Sequence, residues 1–249
     1  MDKDILFCLI AGICYKIDYK YDYTKWMFRD YLVDETQLKG DVIYVSYTPK
    51  DIEKIEGVLE EERSPGYVEY TCIMDKIASD LPNHGMFLMH GAVIEYNGKA
   101  YIFTAPSGTG KSTHISLWKK YLGDKIQIIN GDKPEVSFDD TKVYVHGAPW
   151  CGKEGWQTNT SAELAGVCVV NQSKNNAIKT IHPGNNIEFF LTQIYIGTGE
   201  YDLLKVVDLF TKMAERVSFY SLDCDISEAA AKCSFETMTG ENWGEAKQF

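Results

Sequence analysis

The chain has 249 residues, enough for one large domain or two small ones around a stable core. Hydrophobic residues make up 45% and charged residues 24%, which is ordinary for a soluble globular protein. The formal net charge of −11 argues against a non-specific nucleic-acid binder, which would need a basic surface. The seven cysteines form no Cys-x-x-Cys pair, so neither a zinc site nor a disulfide framework is indicated. We expect reduced, buried thiols in a cytoplasmic protein.

The first 84 residues predict a small α/β segment. An apolar run at 5–14 and a run rich in β-branched and aromatic residues at 41–48 predict two strands. The first run is too short to span a bilayer and has no basic leader, so we expect no targeting or membrane segment. Thr48 followed by Pro49 predicts a capped helix, and a second helix is predicted from about Gly66 to Ser79.

A hairpin and a glycine-rich turn occupy the middle of the chain. The apolar runs 85–96 and 99–105 flank Asn97-Gly98, which is the strongest short hairpin signal. The stretch TAPSGTGKST at 104–113 nearly matches the phosphate-binding loop G-x-x-x-x-G-K-[ST], with alanine where the first glycine usually stands. The motif requires a strand before it and a helix after it, and a helix is predicted over 112–123. A chance Gly/Ser turn is the alternative.

The second half of the chain is predicted to consist mainly of strands with interleaved helices, which favours an α/β or α+β fold. Residues 126–130 form a continuous apolar run, typical of a strand buried between other elements. The remaining predicted elements are a hairpin of 134–138 and 142–146, strands at 164–172 and 218–222, a turn before 177–181, and helices at 184–195, 200–217 and 226–238. The helix at 200–217 carries a stripe that predicts core packing, formed by Leu203, Val206, Val207, Phe210, Met213, Ala214 and Val217.

Each residue type in the glycine-rich turn suits a phosphate ligand. Gly108 and Gly110 can adopt positive φ and leave room for an anion, so that successive N–H groups form one concave nest. Lys111 adds a charge for the β- and γ-phosphates, Ser112 adds a hydroxyl for Mg²⁺, and the following helix directs its positive end at the ligand. We therefore predict nucleotide binding by the loop residues Ser107, Gly108, Thr109, Gly110, Lys111, Ser112 and Thr113.

Two further ionisable residues belong to the predicted site. Asp132 follows the 126–130 strand, where phosphate-loop proteins keep an acid directed at Mg²⁺. An ordinary turn aspartate in Asn-Gly-Asp is the alternative. If the two arms of the hairpin pair, His90 lies opposite the end of the 99–105 strand, close to Ser107. His90 is therefore a candidate site residue, with a purely structural histidine as the alternative.

The segment PWCGKEGW at 149–156 is a candidate substrate loop. Its two glycines give flexibility, Lys153 and Glu154 present opposite charges, and Trp150 and Trp156 could cover a ligand. We predict substrate contacts from Lys153, Glu154 and Trp156. A solvated loop fixed by its two tryptophans is the alternative.

Taken in order, these segments resemble those of the HPr kinase-like, phosphoenolpyruvate-carboxykinase-like kinases, in particular the small stand-alone bacterial members. The residues that carry the resemblance are His90-Gly91, Asn97-Gly98-Lys99, the loop at 105–113, INGDKP at 129–134 and PWCGKEGW at 149–156. The resemblance spans roughly residues 84–240 and implies a phosphate loop between strands of a mixed, partly antiparallel sheet. We accordingly expect a phosphate-loop kinase-like domain over residues 85–249, and an N-terminal α/β extension over residues 1–84 packed on it.

The resemblance also implies the chemistry, which is phosphorylation of a hydroxyl, usually of serine, with ATP and Mg²⁺. Asp132, His90 and Lys111 become the expected catalytic residues, and Ser112 and Asp132 the expected Mg²⁺ ligands. HPr kinases carry two adjacent aspartates after this strand, one the general base and one the metal ligand, whereas this chain has Gly131-Asp132. One carboxylate must then serve both roles unless His90 or a residue such as Glu154 assists.

The acceptor stays open between a protein or peptide serine, including the terminal serine of a peptide precursor, and a small molecule. No segment matches the N-terminal domain of full HPr kinases or their arginine-rich signature, which argues against HPr itself. We expect no nucleic-acid or membrane partner, and homo-oligomers are one expectation from the family. Two other functions stay open. A nucleotide-sensing module without turnover is favoured by the single acid at 132, and a carboxykinase-type decarboxylase would need a longer chain with more metal-binding residues.

Overall fold

The computed structural model describes residues 3–199 and 202–248. Its first sheet has the order β1-β2-β3, with bounds β1 Asp4–Ile10, β2 Ile13–Tyr19 and β3 Val42–Val45. β1 and β2 form an antiparallel hairpin, and β3 pairs with β2 in parallel. The prediction of one strand over 5–14 is wrong, because Ala11 and Gly12 adopt φ values of 48° and 83° and turn the chain within the apolar run.

Three helices accompany the first sheet: α1 Asp22–Met27, α2 Pro49–Val58 and α3 Pro65–Asp80. The two predicted helices are confirmed, whereas α1 has no counterpart among the predicted elements. α2 begins with a reciprocal cap, since Asp51 N donates to Thr48 Oγ1 over 3.4 Å while Thr48 N donates to Asp51 Oδ2 over 2.7 Å.

The second sheet follows the order β12-β4-β8-β9-β10-β6-β5-β7, with β13 paired to β10 and β11 paired to β13. Its strands are β4 Met86–Met89, β5 Ala92–Tyr96, β6 Lys99–Thr104, β7 Ile126–Asn130, β8 Glu135–Phe138, β9 Val143–His146, β10 Ser161–Gln172, β11 Ala177–Thr180, β12 Ile194–Tyr195 and β13 Ser218–Cys224. The helices of this half are α4 Lys111–Leu122, α5 Ile187–Thr192, α6 Leu203–Arg216, α7 Glu228–Thr239 and α8 Trp243–Ala246.

The long strand β10 organises the second sheet. It pairs with β9 in an antiparallel manner near its start, and with β6 and β13 in parallel further along. Val169 lies opposite Thr104 of β6, and Gln172 lies opposite Cys224 of β13. The carboxyl ends of these three strands therefore meet at one edge of the sheet, and the glycine-rich loop leaves β6 at that edge.

Several predicted elements differ from the structure because of pairing between distant strands. The 85–96 run divides at His90 and Gly91, since β4 pairs with β8 and β12 whereas β5 pairs with β6 and β7. The hairpin across Asn97-Gly98 is confirmed. β7 ends the strand order, yet the strand predicted over 126–130 does lie between other elements, because it pairs with β5 on one edge while Thr158 N donates to Ile129 O over 3.0 Å on the other. The helix predicted over 184–195 is shortened to α5, because β12 leaves it to pair with β4.

Helices cover both faces of the second sheet. Side chains alternate along β6, so that Tyr101 and Phe103 pack with α4 and α7, whereas Ala100 and Ile102 pack with α5 and α6. The stripe of α6 is buried at Val206, Phe210 and Met213 together with Leu209, but Leu203 is exposed at the start of the helix. The predicted range of this helix begins at residue 200, and its first two residues lie outside the described part.

A third core joins the first sheet to the second. It combines residues of β1, β2 and α3 with Leu88 of β4 and with Ala148, Trp150 and Cys151 of the loop after β9. Tyr70 of α3 donates its hydroxyl to Pro149 O over 3.1 Å. The division at residue 84 into an extension and a kinase-like domain stays a prediction.

A mixed α/β architecture with mixed sheets is confirmed. Six of the seven cysteines are buried, and all seven are free thiols. Within residues 3–199 and 202–248, none of the helices combines the length and the apolar character needed to cross a membrane.

Candidate functional site

The glycine-rich loop joins β6 to α4. Gly108 and Gly110 have φ values of 76° and 110°, a region that favours glycine. Gly110 is the N-cap of α4, and no side chain caps this helix start. The N–H groups of the first turn, which no helix can satisfy internally, are therefore presented to the loop and can bind an anion.

Lys111 is the first residue of α4, and its side chain is buried along the inner side of the loop. Its Nζ donates to Ala105 O over 3.0 Å and to Pro106 O over 3.4 Å. Burial lowers the pKa of Lys111, and the Asp132 carboxylate opposes this shift. The ammonium group is thus held at the floor of the loop, where a phosphate oxygen can replace the carbonyls as its acceptor.

Asp132 lies in the turn that follows β7. The buried Asn130 organises this turn, because its Oδ1 accepts Asp132 N at 2.8 Å and Lys133 N at 2.9 Å while its Nδ2 donates to Ala148 O over 2.8 Å. Lys133 Nζ contacts Asp132 Oδ2 at 2.5 Å, and His90 Nε2 lies 3.5 Å from Asp132 Oδ1. The single carboxylate is therefore fixed between a lysine and a histidine.

The backbone beside Asp132 leaves no room for a second acid. Gly131 N donates to Trp156 O over 2.9 Å, which brings the two segments into close contact. A Cβ at position 131 would lie 2.8 Å from Cys151 O and 3.4 Å from Trp156 Cβ. The glycine that replaces the expected aspartate is thus required by the packing of the 149–156 segment.

His90 is oriented from the side opposite Asp132. Its Nδ1 lies 3.2 Å from Gln193 Oε1, and Gln193 Nε2 donates to Thr192 Oγ1 over 3.0 Å, which directs the amide oxygen at the histidine. Both ring nitrogens of His90 face oxygen acceptors, the Gln193 amide oxygen and the Asp132 carboxylate, so the protonated ring can donate to both and the neutral ring to one of them. Burial lowers the pKa of His90, and the Lys111 charge adds to this shift.

The loop, Asp132 and His90 line one cleft of about 460 Å³. The sequence-predicted residues that it brings together are His90, Ser107, Gly108, Gly110, Lys111, Ser112, Thr113, Asp132, Lys153 and Glu154. Tyr67 of α3 also reaches the cleft, so the first 84 residues contribute to its wall. Thr109 lies on the other side of the loop and lines a neighbouring cavity.

The two tryptophans of the 149–156 segment do not cover the cleft. Trp156 packs against the core on the α4 side and lines a separate cavity with Ile128, so the structure does not bring it together with Lys153 and Glu154. Trp150 is buried, with ring centroids 5.3 Å from Phe28 and 5.6 Å from Tyr70. The segment presents Lys153 and Glu154 to the cleft and uses its aromatic rings for packing.

The donor set suits Mg²⁺ bound together with phosphate. Within the described ranges no group of three or more His, Cys, Asp or Glu residues could hold a metal ion alone. The Ser112 hydroxyl and the Asp132 carboxylate both line the cleft, and they are hard oxygen ligands. Mg²⁺ commonly uses one or two such protein ligands, with phosphate oxygens and water completing its shell, so these residues fit it.

Sequence reasoning missed the residues that support the site. Asn130 and Lys133 stand beside Asp132 in INGDKP, and their polar side chains were a local signal. Thr104 donates its hydroxyl to His90 O over 2.8 Å, and Gln193 binds the same histidine from 103 residues away. No local pattern identifies Gln193, because only the pairing of β12 with β4 brings it to the site.

Comparisons with known proteins give only a distant likeness, to solved structures. No protein-family model matches the chain, and no curated protein matches it. Among solved structures, the chain is similar to the Hpr(Ser) kinase/phosphatase of Coxiella burnetii, with 10% identity and a TM-score of 0.34 over 61% of this chain and 93% of that one. A TM-score this low carries no functional weight, so the function depends on the site residues themselves.

Proposed function

We propose that the chain binds a nucleoside triphosphate, with ATP as the expected form, on the loop at 105–113 and transfers its terminal phosphoryl group to a hydroxyl. One observation carries the proposal. The glycine loop at the start of α4, the buried Lys111, Asp132 and His90 line the same cleft. A loop that merely turned the chain would need neither a buried lysine nor ionisable residues from β7 and from the β4–β5 junction.

Each residue has a role in this reaction. The loop N–H groups and Lys111 bind the phosphates and offset the charge that develops as the terminal group leaves. Asp132 accepts the proton of the attacking hydroxyl, while Lys133 and His90 hold the carboxylate in place. Lys153 and Glu154, at the open side of the cleft, contact the acceptor.

Mg²⁺, held by Ser112 and Asp132, would add charge neutralisation on the phosphates. The single carboxylate would then serve both as a metal ligand and as the proton acceptor. In the same proposal, residues 85–249 form a phosphate-loop domain of the HPr kinase-like type, residues 1–84 are an extension packed on it, and the acceptor is a serine of a peptide or protein or a small molecule.

Transfer of label from γ-labelled ATP tests the proposal. Purified protein is incubated with a pool of serine-containing peptides and a metabolite pool, and the labelled species is identified by mass spectrometry. Turnover on the order of 1–100 s⁻¹ is expected for the right acceptor. Lys111→Ala and Asp132→Asn should each reduce transfer by roughly 100-fold or more.

Matched controls stand close by. Lys120→Ala changes an exposed lysine of the same helix, and Asp140→Asn changes an exposed aspartate of the β8–β9 turn. Both controls should keep wild-type transfer. Near-normal transfer by Asp132→Asn would show that another group removes the proton.

A nucleotide-sensing module without turnover is the second candidate. It is favoured by Asp132 being the single acid in the turn and by the contact of its Oδ2 with Lys133. In that case ATP binds, Lys111→Ala abolishes binding, and no label reaches any acceptor.

A further inference from the structure

A second cavity, of about 400 Å³, lies directly across the glycine-rich loop from the Lys111 cleft. The two cavities share Gly108, Gly110 and Thr113, so one ligand can extend from one to the other past the start of α4. Its volume falls within the roughly 300–1,000 Å³ of small-molecule sites. The roles proposed for Lys111, Asp132 and His90 leave this cavity without a ligand.

The fold places this cavity where parallel strands end. β10 and β13 run in parallel and in register up to Gln172 and Cys224, and both carboxyl ends open into the cavity together with the loop after β6. In open sheets, ligands bind in the crevice at the carboxyl ends of parallel strands. The cavity is therefore part of the same ligand-binding edge as the phosphate loop.

The walls of the cavity suit a nucleoside and disfavour phosphate. Leu117 and Val170 form a buried apolar wall, and Ile226, 76% exposed, stands at the rim with no cover. The cavity lining includes no lysine or arginine, whereas the neighbouring cleft has Lys111 and Lys153. A planar base packed on the apolar wall would bury Leu117, Val170 and Ile226 further.

Asp225 and His114 give the cavity a negative charge and no positive charge, whereas the cleft carries lysines. Asp225 accepts Ser227 Oγ at 2.5 Å and Ser227 N at 2.9 Å, and these hydrogen bonds lower the pKa of Asp225, so the carboxylate is ionised at neutral pH. It repels phosphate and accepts from hydroxyl or amino groups. His114 also lines the cavity, and burial lowers its pKa to about 4, so it adds no positive charge there.

We infer that this cavity holds the base and ribose of the nucleoside triphosphate, whose phosphates cross the glycine-rich loop to Lys111. The inference rests on the proposed function, which places the phosphates of the nucleotide on the loop. The inference assigns a binding site to the nucleoside of the same ligand. Asp225 then faces the hydroxyl or amino donors of the nucleoside, and Gln172, whose Nε2 donates to Thr109 O over 3.1 Å, ties the cavity wall to the loop.

Binding of ATP and of inorganic tripolyphosphate, measured by calorimetry with Mg²⁺ present, tests the inference. Wild-type protein should bind ATP more tightly than tripolyphosphate, which has no nucleoside. Ile226→Ser should weaken ATP binding by roughly 10-fold, because an isoleucine side chain loses its buried contact with the base. The same variant should leave the affinity for tripolyphosphate within about two-fold, as expected for a change that touches no phosphate contact.

Leu204→Ser is the matched control, since Leu204 is 78% exposed on α6 and lines neither cavity. It should bind both ligands as the wild type does. Photo-crosslinking with 8-azido-ATP gives a second readout, in which the label should reach peptides that contain 170–173 or 224–226.

The possible failures are distinguishable. Equal wild-type affinity for both ligands, an unchanged ATP affinity in Ile226→Ser, or crosslinks only to other segments would overturn the nucleoside assignment and leave the phosphate loop intact. Wild-type protein that binds neither ligand, or Lys111→Ala that binds both normally, would overturn the proposed function and with it the inference.

Discussion

At the scale of single residues, Gly131 decides how many acids the site can hold. Gly131→Asp would place a Cβ 2.8 Å from Cys151 O, a backbone atom that cannot move without shifting the 149–156 segment. We expect the variant to lose about 1–3 kcal/mol of unfolding free energy, as overpacked sites do. We also expect lower phosphoryl transfer, although the substitution creates a pair of adjacent acids. Urea unfolding and the label-transfer assay measure the two effects.

Gly57→Asp is the control for this substitution, because position 57 lies on the exposed side of α2 and an added Cβ would meet no atom within 4 Å. It should cost less than Gly131→Asp and leave transfer unchanged. Higher transfer in Gly131→Asp than in wild type would show that the site accommodates a second carboxylate.

At the scale of secondary-structure elements, β8 carries a buried acid. Glu135 lies opposite Leu88 of β4 and His146 of β9. Among the described residues, neither of its carboxyl oxygens has a hydrogen-bond partner. Burial raises the pKa of Glu135 to about 8, and the nearby Trp150 indole opposes this shift only in part. The folded chain therefore keeps this proton at pH 7, whereas the unfolded chain releases it.

This difference predicts how stability depends on pH. Between the ordinary pKa of 4.5 and the folded value near 8, the unfolded state binds fewer protons at this residue. The free energy of unfolding should fall by up to about 1.4 kcal/mol for each pH unit of increase in that window. Glu135→Gln should remove this part of the slope, which urea unfolding at pH 5, 6, 7 and 8 measures.

Glu215→Gln, a change on the exposed side of α6, should keep the wild-type slope. Burying the amide in Glu135→Gln changes the free energy of unfolding by an amount that does not depend on pH. The slope with pH therefore reports the loss of the titrating carboxyl separately from that cost. An unchanged slope in Glu135→Gln would mean that the carboxyl is already ionised in the folded protein.

Elements were predictable where the signal is local. Asn97-Gly98 prefers the backbone conformation of a tight turn and so defines the β5–β6 hairpin. Thr48 prefers the N-cap position and so defines the start of α2. The break at His90 and the shortening of the 184–195 helix were not predictable, because β4 must first pair with β8 and β12. The apolar run at 5–14 likewise hid a turn, since its turn residues Ala11 and Gly12 interrupt no periodic pattern.

The same distinction applies to the site. A shared site for Lys111, His90 and Asp132 could be predicted from sequence, because Lys111 belongs to the loop, His90 precedes a strand that pairs with the loop's strand, and Asp132 stands where phosphate-loop proteins keep an acid. Trp156 could not be placed, since its position depends on the pairing of its segment with the distant β7 turn, where its carbonyl accepts Gly131 N. Gln193 carries no local signal and reaches His90 only through tertiary structure.

At the scale of the whole molecule, the first 84 residues support the turn that carries Asp132, through their contacts with Trp150. Its ring packs edge-on against Phe28 of the first segment and tilted against Tyr70 of α3, and its carbonyl accepts Lys133 N at 3.0 Å. The third core thus connects the first sheet to the residue beside Asp132. A shared core of this kind predicts that the two sheets unfold in one transition, with coincident fluorescence and circular dichroism curves.

Trp150→Ala tests whether this packing serves the site as well as the fold. The cavity left by the ring should cost about 3–5 kcal/mol of unfolding free energy. At temperatures where the variant stays folded, transfer should fall on the order of 10-fold or more, because small displacements of a catalytic group have large effects. Tripolyphosphate binding should be unchanged, since the loop and Lys111 lie outside this core.

Trp26→Ala is the control, because it removes a 53% exposed ring from α1. It should lower the free energy of unfolding by less than about 1 kcal/mol and leave transfer intact. Normal transfer by folded Trp150→Ala would mean that Asn130, Lys133 and His90 hold Asp132 in position without Trp150.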